Sequence, residues 1–357
     1  MQTARAGRGV GDLAVSEGEH TSCFLDSRRK WNLGFERKRQ VTTTINSMSE
    51  SAEAQMNRTT FFLACGVALC LVSPLFAQDQ PTRPPITGIA HVRIYTTDLR
   101  KSTDFYSRML GLPARSGGCT GMTRPCFILS DSQQILLSAA AAPLPPNLLS
   151  EVAFATPDIG RMRAYLLAHN VAVGPVARDI NSVAYFSLRD PEGNGIAFVQ
   201  LHPLTGSKAP AGKLSTRLLH AGFIVKDRAA EDRFYRDLLG FRMYWHGGFK
   251  DSGDDWWEIQ VPDGTDWIEY MLNIPAKADA KERGVQNHFS LGVDKIQPAV
   301  SQLHQSGVEK MDGPEIGRDG KWSIDVYDPD GTRVEVMEFT PAKGPCCHPY
   351  TADHPKP

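Results

Sequence analysis

The feature that most constrains this chain is an internal repeat. The segments IAHVRIYTTDLRKSTDFYSRMLGLP (89–113) and LLHAGFIVKDRAAEDRFYRDLLGFR (218–242) share one pattern. His91 aligns with His220, Phe105-Tyr106 with Phe234-Tyr235 and Gly111 with Gly240, all at an offset of 129. A second pair, DPEGNGIAFVQ (190–200) and DPDGTRVEVME (328–338), recurs at an offset of 138. The second copy has therefore gained nine residues between these landmarks, and the Trp/Asp/Gly-rich stretch 245–266 is the expected place.

Each half reads as double again. SEVAFATPD (150–158) and NHFSLGVD (287–294) have the same strand, turn and helix start as 90–98 and 219–227. The spacing of Phe105/Met109, Tyr106/Leu110, Phe234/Leu238 and Tyr235/Leu239 predicts helices. Asp98 and Asp227 stand where N-caps belong, Gly111 and Gly240 where a helix-ending glycine belongs. Alternating runs such as WIEYML and TRVEVMEF predict strands. The expected fold class is α+β, with four βαβββ modules in two halves. The N-terminal half is 86–203, a Gly/Pro/Ser linker 204–216, the C-terminal half 217–340 and a Cys/Pro-rich tail 341–357.

The formal net charge of −1 gives no general drive toward nucleic acid or anionic lipid. Residues 1–55 are polar, without apolar period, and read as a disordered or mis-assigned extension. Residues 56–77 place Arg58 before the apolar run FFLACGVALCLVSPLFA and read as a signal peptide, too short for a comfortable membrane span. A periplasmic or secreted chain follows as the expectation, with no stable membrane insertion after signal removal and a small molecule as partner. Its remaining cysteines are Cys119, Cys126, Cys346 and Cys347. Cys119 and Cys126 could close a local loop, and the adjacent pair is expected as a tail disulfide or free thiols rather than a metal site.

Strand alternation puts His288, Ser290 and Gly292 on one face, opposite Phe289, Leu291 and Val293. His220, Gly222 and Ile224 repeat this, Glu335 shares a face with Arg333 and Met337, and Glu269 with Trp267 and Met271. Two imidazoles and two carboxylates on such faces are a donor set for a divalent metal: Ni²⁺, Zn²⁺, Fe²⁺ or Mn²⁺.

A strand His followed by an FYxxxLG helix, and DPxG followed by a strand, resembles the vicinal oxygen chelate superfamily of glyoxalase I, bleomycin-resistance proteins and extradiol dioxygenases. The resemblance covers roughly 86–340 and implies two half-barrel-like mixed sheets with helices on the outside. It implies His220, Glu269, His288 and Glu335 as metal ligands. Glu335 and Glu269 would also move a proton in a glyoxalase I-like lyase or isomerase acting on an α-hydroxycarbonyl substrate. In the first half only His91 is kept; the other three positions fall near Leu136 and at Glu151 and Ala197.

Two groupings stay open. Within-half pairing explains a complete ligand set beside a decayed one and is preferred. Cross-half pairing would group His91 with His288 and Glu335, and Glu151 with His220 and Glu269. An extradiol dioxygenase would need His220, His288 and Glu335 around Fe²⁺, but GRDGKWSIDVYDPDG lacks that family's upstream His and sets Tyr327 directly against Asp328. A non-catalytic binding or resistance protein would instead use Trp245, Trp256, Trp257, Trp267 and Tyr270 as an aromatic cleft. Assembly as a homodimer is compatible with each.

Overall fold

The computed structural model describes residues 81–115, 125–179, 181–201 and 214–357. Residues 1–55, the expected signal peptide 56–77, Cys119 and nearly all of the expected linker lie outside the described residues. No helix among the described residues is long and apolar enough to cross a membrane.

The first half carries β1 (Gly88–Thr96), β2 (Ala114–Arg115), β3 (Cys126–Ile128), β4 (Gln134–Ala139), β5 (Leu149–Thr156), β6 (Ala177–Arg178), β7 (Ala184–Arg189) and β8 (Gly195–Gln200). The second carries β9 (Arg217–Ile224), β10 (Arg242–Gly247), β11 (Trp256–Gln260), β12 (Trp267–Met271), β13 (His288–Val293), β14 (Met311–Ile316), β15 (Trp322–Tyr327) and β16 (Arg333–Glu338). Each half is one eight-stranded sheet, ordered β2-β3-β4-β1-β5-β8-β7-β6 and β10-β11-β12-β9-β13-β16-β15-β14. Both sheets are mixed. The central pairs β1–β5 and β9–β13 are antiparallel, and the strands flanking them run parallel to their neighbours. These are the two curled half-barrel sheets that the family resemblance implied, and the modules pair within each half.

The apolar faces behave as alternation requires. Ala221, Phe223, Val225, Phe289, Leu291 and Val293 join Val92, Ile94, Val152 and Phe154 in one continuous core that runs through both halves. The faces bearing His220 and His288 turn the other way.

The helices differ from expectation in one respect. Asp98 and Asp227 do cap α1 (Leu99–Asp104) and α3 (Arg228–Glu231), and Gly111 and Gly240 follow at φ 67° and 77°. Each helix, however, widens into a π turn, Phe105–Met109 and Asp232–Leu238. There Leu110 N donates to Phe105 O and Leu239 N to Phe234 O, five residues back. Both members of each adjacent aromatic pair, Phe105-Tyr106 and Phe234-Tyr235, are buried in the core at these turns. The remaining helices are α2 (Ile159–Ala168), α4 (Ala280–Gln286) and α5 (Ile296–Gln305).

The nine extra residues are also placed differently. Strand register matches Leu136 with Glu269, 133 apart, and Glu151 with His288, 137 apart. Only four of the nine therefore precede Glu269, and four more fall in the segment carrying α4, which alternation alone did not mark.

The landmarks of the repeat meet across the halves. Tyr106 Oη donates to Asp328 Oδ2 at 3.2 Å, and Tyr235 Oη to Asp190 Oδ2 at 3.1 Å. Each DPxG turn also grips the strand-to-helix turn of the other half. Asp330 accepts Thr97 N and the Thr96 and Thr97 hydroxyls, while Glu192 Oε1 accepts Lys226 N and Asp227 N. Glu231 completes the second joint by accepting Glu192 N at 2.8 Å.

Burial, reinforced by the Asp190 charge, pushes the Glu231 carboxyl up to about 8. A raised carboxyl adds stability that is present below its unfolded value near 4.5 and is lost as pH rises through about 8. Glu231→Gln keeps the acceptor without the charge. It should match the parent near pH 4.5 and exceed it at pH 9 by on the order of a few kcal/mol in urea unfolding. Parallel pH profiles for the two proteins would contradict this.

Candidate metal centre

Four adjacent strands build the site. His220 on β9 and His288 on β13 come from the antiparallel central pair, in which Ser290 faces His220 and Gly222 faces His288. On one flank β12 sets Glu269 beside Gly222, and on the other β16 sets Glu335 beside Ser290. The site thus needs no loop: neighbouring strands about 4.8 Å apart bring the side chains together. Gly222 is required for this. A Cβ there would overlap Cε1 and Nδ1 of His288, whose ring lies over the bare backbone.

The donor atoms converge. His220 Nε2 lies 3.0 Å from His288 Nε2, 3.2 Å from Glu335 Oε2 and 3.6 Å from Glu269 Oε2. His288 Nε2 lies 3.1 Å from Glu269 Oε2. For bonds near 2.1 Å, the edges of a coordination polyhedron run from roughly 3.0 to 3.4 Å, so the donor set and its spacing fit a divalent ion. The tautomer fits too. His288 Nδ1 is 2.9 Å from Gln286 O, which can only accept, so the proton sits on Nδ1 and Nε2 offers its lone pair. Both rings are buried, while the Glu269 and Glu335 side chains keep 13% and 12% exposure, an opening toward solvent on the carboxylate side.

Electrostatics keep the donors in ligand form. Burial pulls His288 below its usual value, with the Arg333 charge next. Burial pushes Glu335 upward, but the His220 bond and charge, with Arg333, outweigh it and hold the carboxyl well below the usual range. Glu269 is likewise lowered, burial being outweighed by His288.

The first half shows what a decayed site becomes. His91 Nε2 meets Glu151 Oε1 at 3.0 Å, and Arg93 Nη2 shares that oxygen at 3.1 Å. Ser187 Oγ donates to the other oxygen. Leu136 and Ala197 hold the remaining positions, so the site is an internally paired carboxylate with an apolar surround. The cross-half grouping is overturned. His91 pairs with Glu151 of its own sheet, and His288 and Glu335 with His220 of theirs, because the hydrogen-bonded sheets form within each half.

Several residues at this site carried no signal as ligands. Asp325, opposite Glu335 on β15, is pushed by burial up to about 7 despite the charge of Arg333, whose Nη1 lies 3.4 Å away. Glu258, opposite Glu269 on β11, is buried and raised well above the usual range by burial. Alternation along WWEIQ places Glu258 on the Glu269 face and could have found it. Lys321, wholly buried, lies just before β15 where no periodicity applies. The aromatic residues are mostly packing: Tyr270 is in the shared core, Trp257 carries Arg228 over its ring, and Trp245 Nε1 donates to Cys346 O. Cys346 and Cys347 are bonded to each other, so the cluster they form with Asp251 offers no thiolate.

Two half-barrels of paired βαβββ modules, with two imidazoles and two carboxylates on one concave face, define a metal-site protein of the vicinal oxygen chelate class. The family model "Glyoxalase/Bleomycin resistance protein/Dioxygenase superfamily" matches residues 88–198 and 217–336, and the chain belongs to that superfamily. Similar solved structures are extradiol dioxygenases. The 2,3-dioxygenase LapB from Pseudomonas sp. KL28 is 16% identical with a TM-score of 0.57, over 77% of this chain and 96% of that one. Homoprotocatechuate 2,3-dioxygenase from Brevibacterium fuscum is 17% identical with a TM-score of 0.55, over 76% and 84%. The Arthrobacter globiformis enzyme of the same name is 15% identical with a TM-score of 0.54, over 72% and 80%. At these identities the likeness is one of fold. No curated protein matches the chain.

Gly222→Ala should displace the His288 ring and weaken Zn²⁺ binding at least tenfold, the order typical of disturbed ligand orientation, with circular dichroism unchanged. Native Zn²⁺ affinity in the folded variant would mean that the imidazole does not depend on the bare strand.

Proposed function

We propose that the chain is a glyoxalase I-like lyase or isomerase acting on a small α-hydroxycarbonyl-type substrate, with His220, Glu269, His288 and Glu335 as ligands of a divalent metal. The observation that carries this is the presence of two carboxylates beside the imidazole pair, one more than a facial triad requires. A bound ion such as Ni²⁺, Zn²⁺, Fe²⁺ or Mn²⁺ would polarise the vicinal oxygens of the substrate. The chain's own part is proton transfer. Glu335, whose carboxylate lies at the partly open side of the donor cluster, is placed to take a proton from one carbon and return it to the next, with Glu269 as its counterpart. The buried imidazoles fix the geometry and keep water from that side.

A second reading, an Fe²⁺ extradiol dioxygenase, is favoured by the compact grouping of His220, His288 and Glu335 and by the activity named for the solved neighbours. Against it, the hydroxyl of Tyr327 is engaged with Asp312 Oδ2 at 2.5 Å. No His stands in 317–331. A non-catalytic binding protein remains the third outcome of the tests.

Elemental analysis of the purified chain should find near one equivalent of metal, lost in His288→Ala. Glu335→Gln should keep most of the metal and lose about 10²–10⁴-fold in turnover measured anaerobically. Oxygen uptake with catechols, dependent on Fe²⁺, would decide for the dioxygenase. No metal after reconstitution with all four ions would remove both enzyme readings.

Export is proposed as well, to the periplasm or medium, supported by the signal-like segment 56–77 and by the disulfide-bonded state of Cys126, Cys346 and Cys347. Mass spectrometry of the mature protein should give an N-terminus near residue 78, and an intact segment 56–77 would refute cleavage.

A further inference from the structure

Metal-binding imidazoles are normally held in plane by a hydrogen bond from the ring nitrogen that faces away from the metal. His288 has this anchor in Gln286 O. His220 does not: its Nδ1 is buried and has no hydrogen-bond partner among the described residues. Packing must set that ring instead, and the group against it is Trp267, with ring centroids 4.8 Å apart and planes 33° from parallel. Trp267 stands beside His220 in the β9–β12 register and is fully buried.

Trp267 is in turn held by a buried cation. Lys321 Nζ lies 4.5 Å from the Trp267 ring centre, 4.8 Å from Tyr244 and 5.0 Å from Tyr350. The ammonium is wholly buried and makes no conventional hydrogen bond among the described residues; Asp319 at 3.5 Å and Glu258 at 4.0 Å answer its charge. The tail closes the chamber from outside. Tyr350 Oη donates to Asp319 O, Thr351 N to Tyr244 O, and Tyr244 Oη meets His354 Nδ1 at 2.6 Å.

Burying an ammonium without hydrogen bonds is costly, and an apolar side chain would fill the space without that cost. The first half shows this directly. At the 138 offset the residue matching Lys321 is Val183, which packs on an apolar patch. The residue matching Trp267 is Gln134, and there His91, whose Nδ1 also lacks a partner among the described residues, is held through Nε2 by Glu151. The fold therefore tolerates an apolar residue at this position. The cation and the indole occur together, in the half that keeps the four donors. A cation over an aromatic face favours that face-on orientation and resists rotation of the ring.

We propose that Lys321 is a positioning residue of the metal centre: its caged ammonium fixes the Trp267 indole, and the indole fixes the His220 imidazole that lacks a hydrogen-bonded anchor. This deepens the metal-centre reading and rests on it. The test uses the mature chain titrated with Co²⁺, read by affinity and by the visible absorption of the bound ion. Lys321→Met should bind Co²⁺ about 10–100-fold more weakly, with an altered spectrum. Lys321→Arg, which keeps a cation over the rings, should recover most of both. Tyr350→Leu removes one cage wall from the tail side and should shift the spectrum in the same direction, which decides the matter should Lys321→Met not fold. Native affinity and spectrum in folded Lys321→Met, or in Tyr350→Leu where the former is unfolded, would overturn the positioning role while leaving the metal centre standing. Absence of Co²⁺ binding by the parent chain would overturn the metal centre, and this role with it.

Discussion

The reciprocal grip between helix tyrosine and DPxG turn holds the molecule together. Tyr106 reaches Asp328 and Tyr235 reaches Asp190, so each half supplies the donor to one joint and the acceptor to the other. The aspartates are already committed on their other oxygen, Asp190 to Asn194 N and Asp328 to Asp330 N and Thr332 N. A buried hydroxyl left without such an acceptor would lose about 1–3 kcal/mol, so neither half can turn away from the other without stranding polar groups. The apolar core follows that constraint, running through both sheets as one body. With their outer faces locked together, the two concave faces are left free for other uses.

What each concave face does depends on a few substitutions in a shared geometry. The same four strand positions hold His220, Glu269, His288 and Glu335 in one half and His91, Leu136, Glu151 and Ala197 in the other. In the first case like donors crowd together, which is unfavourable without a cation to share. In the second, Arg93 neutralises Glu151 internally, His91 hydrogen-bonds the same carboxylate oxygen, and the need disappears. Buried charge beyond the ligands sharpens the contrast. Glu258, Asp319, Asp325, Lys321 and Arg333 surround the C-terminal site, several with polar atoms that no group among the described residues hydrogen-bonds. Buried polar groups in that state mark places built to meet water, ions or substrate.

Much of the fold was legible because its signals are periodic or local. The offsets of the repeat, the capping aspartates, the glycines at positive φ and the strand alternation each follow from backbone geometry acting over a few residues. The faces carrying His220, His288, Glu269 and Glu335 could be assigned for the same reason. The π turns were not legible, since the i,i+4 spacing of Phe105/Met109 suits an α-helix and no local pattern marks a bond five residues back. The helix at Ala280–Gln286 was missed because it is short and shows no apolar stripe.

By itself the sequence determined that this chain is a duplicated, four-module α+β protein, with donors of metal-ligand type concentrated in its second half. Strand period and repeat spacing are properties of the chain alone. Only the tertiary structure decided which modules share a sheet, and hence that His91 joins Glu151 while His288 joins His220. That choice depends on hydrogen bonds between segments some 60 residues apart or more, which no local pattern encodes. The burial of Lys321 among Tyr244, Trp267 and Tyr350 was decided there too, because a cage needs side chains from three distant stretches of chain and a tail folded over them.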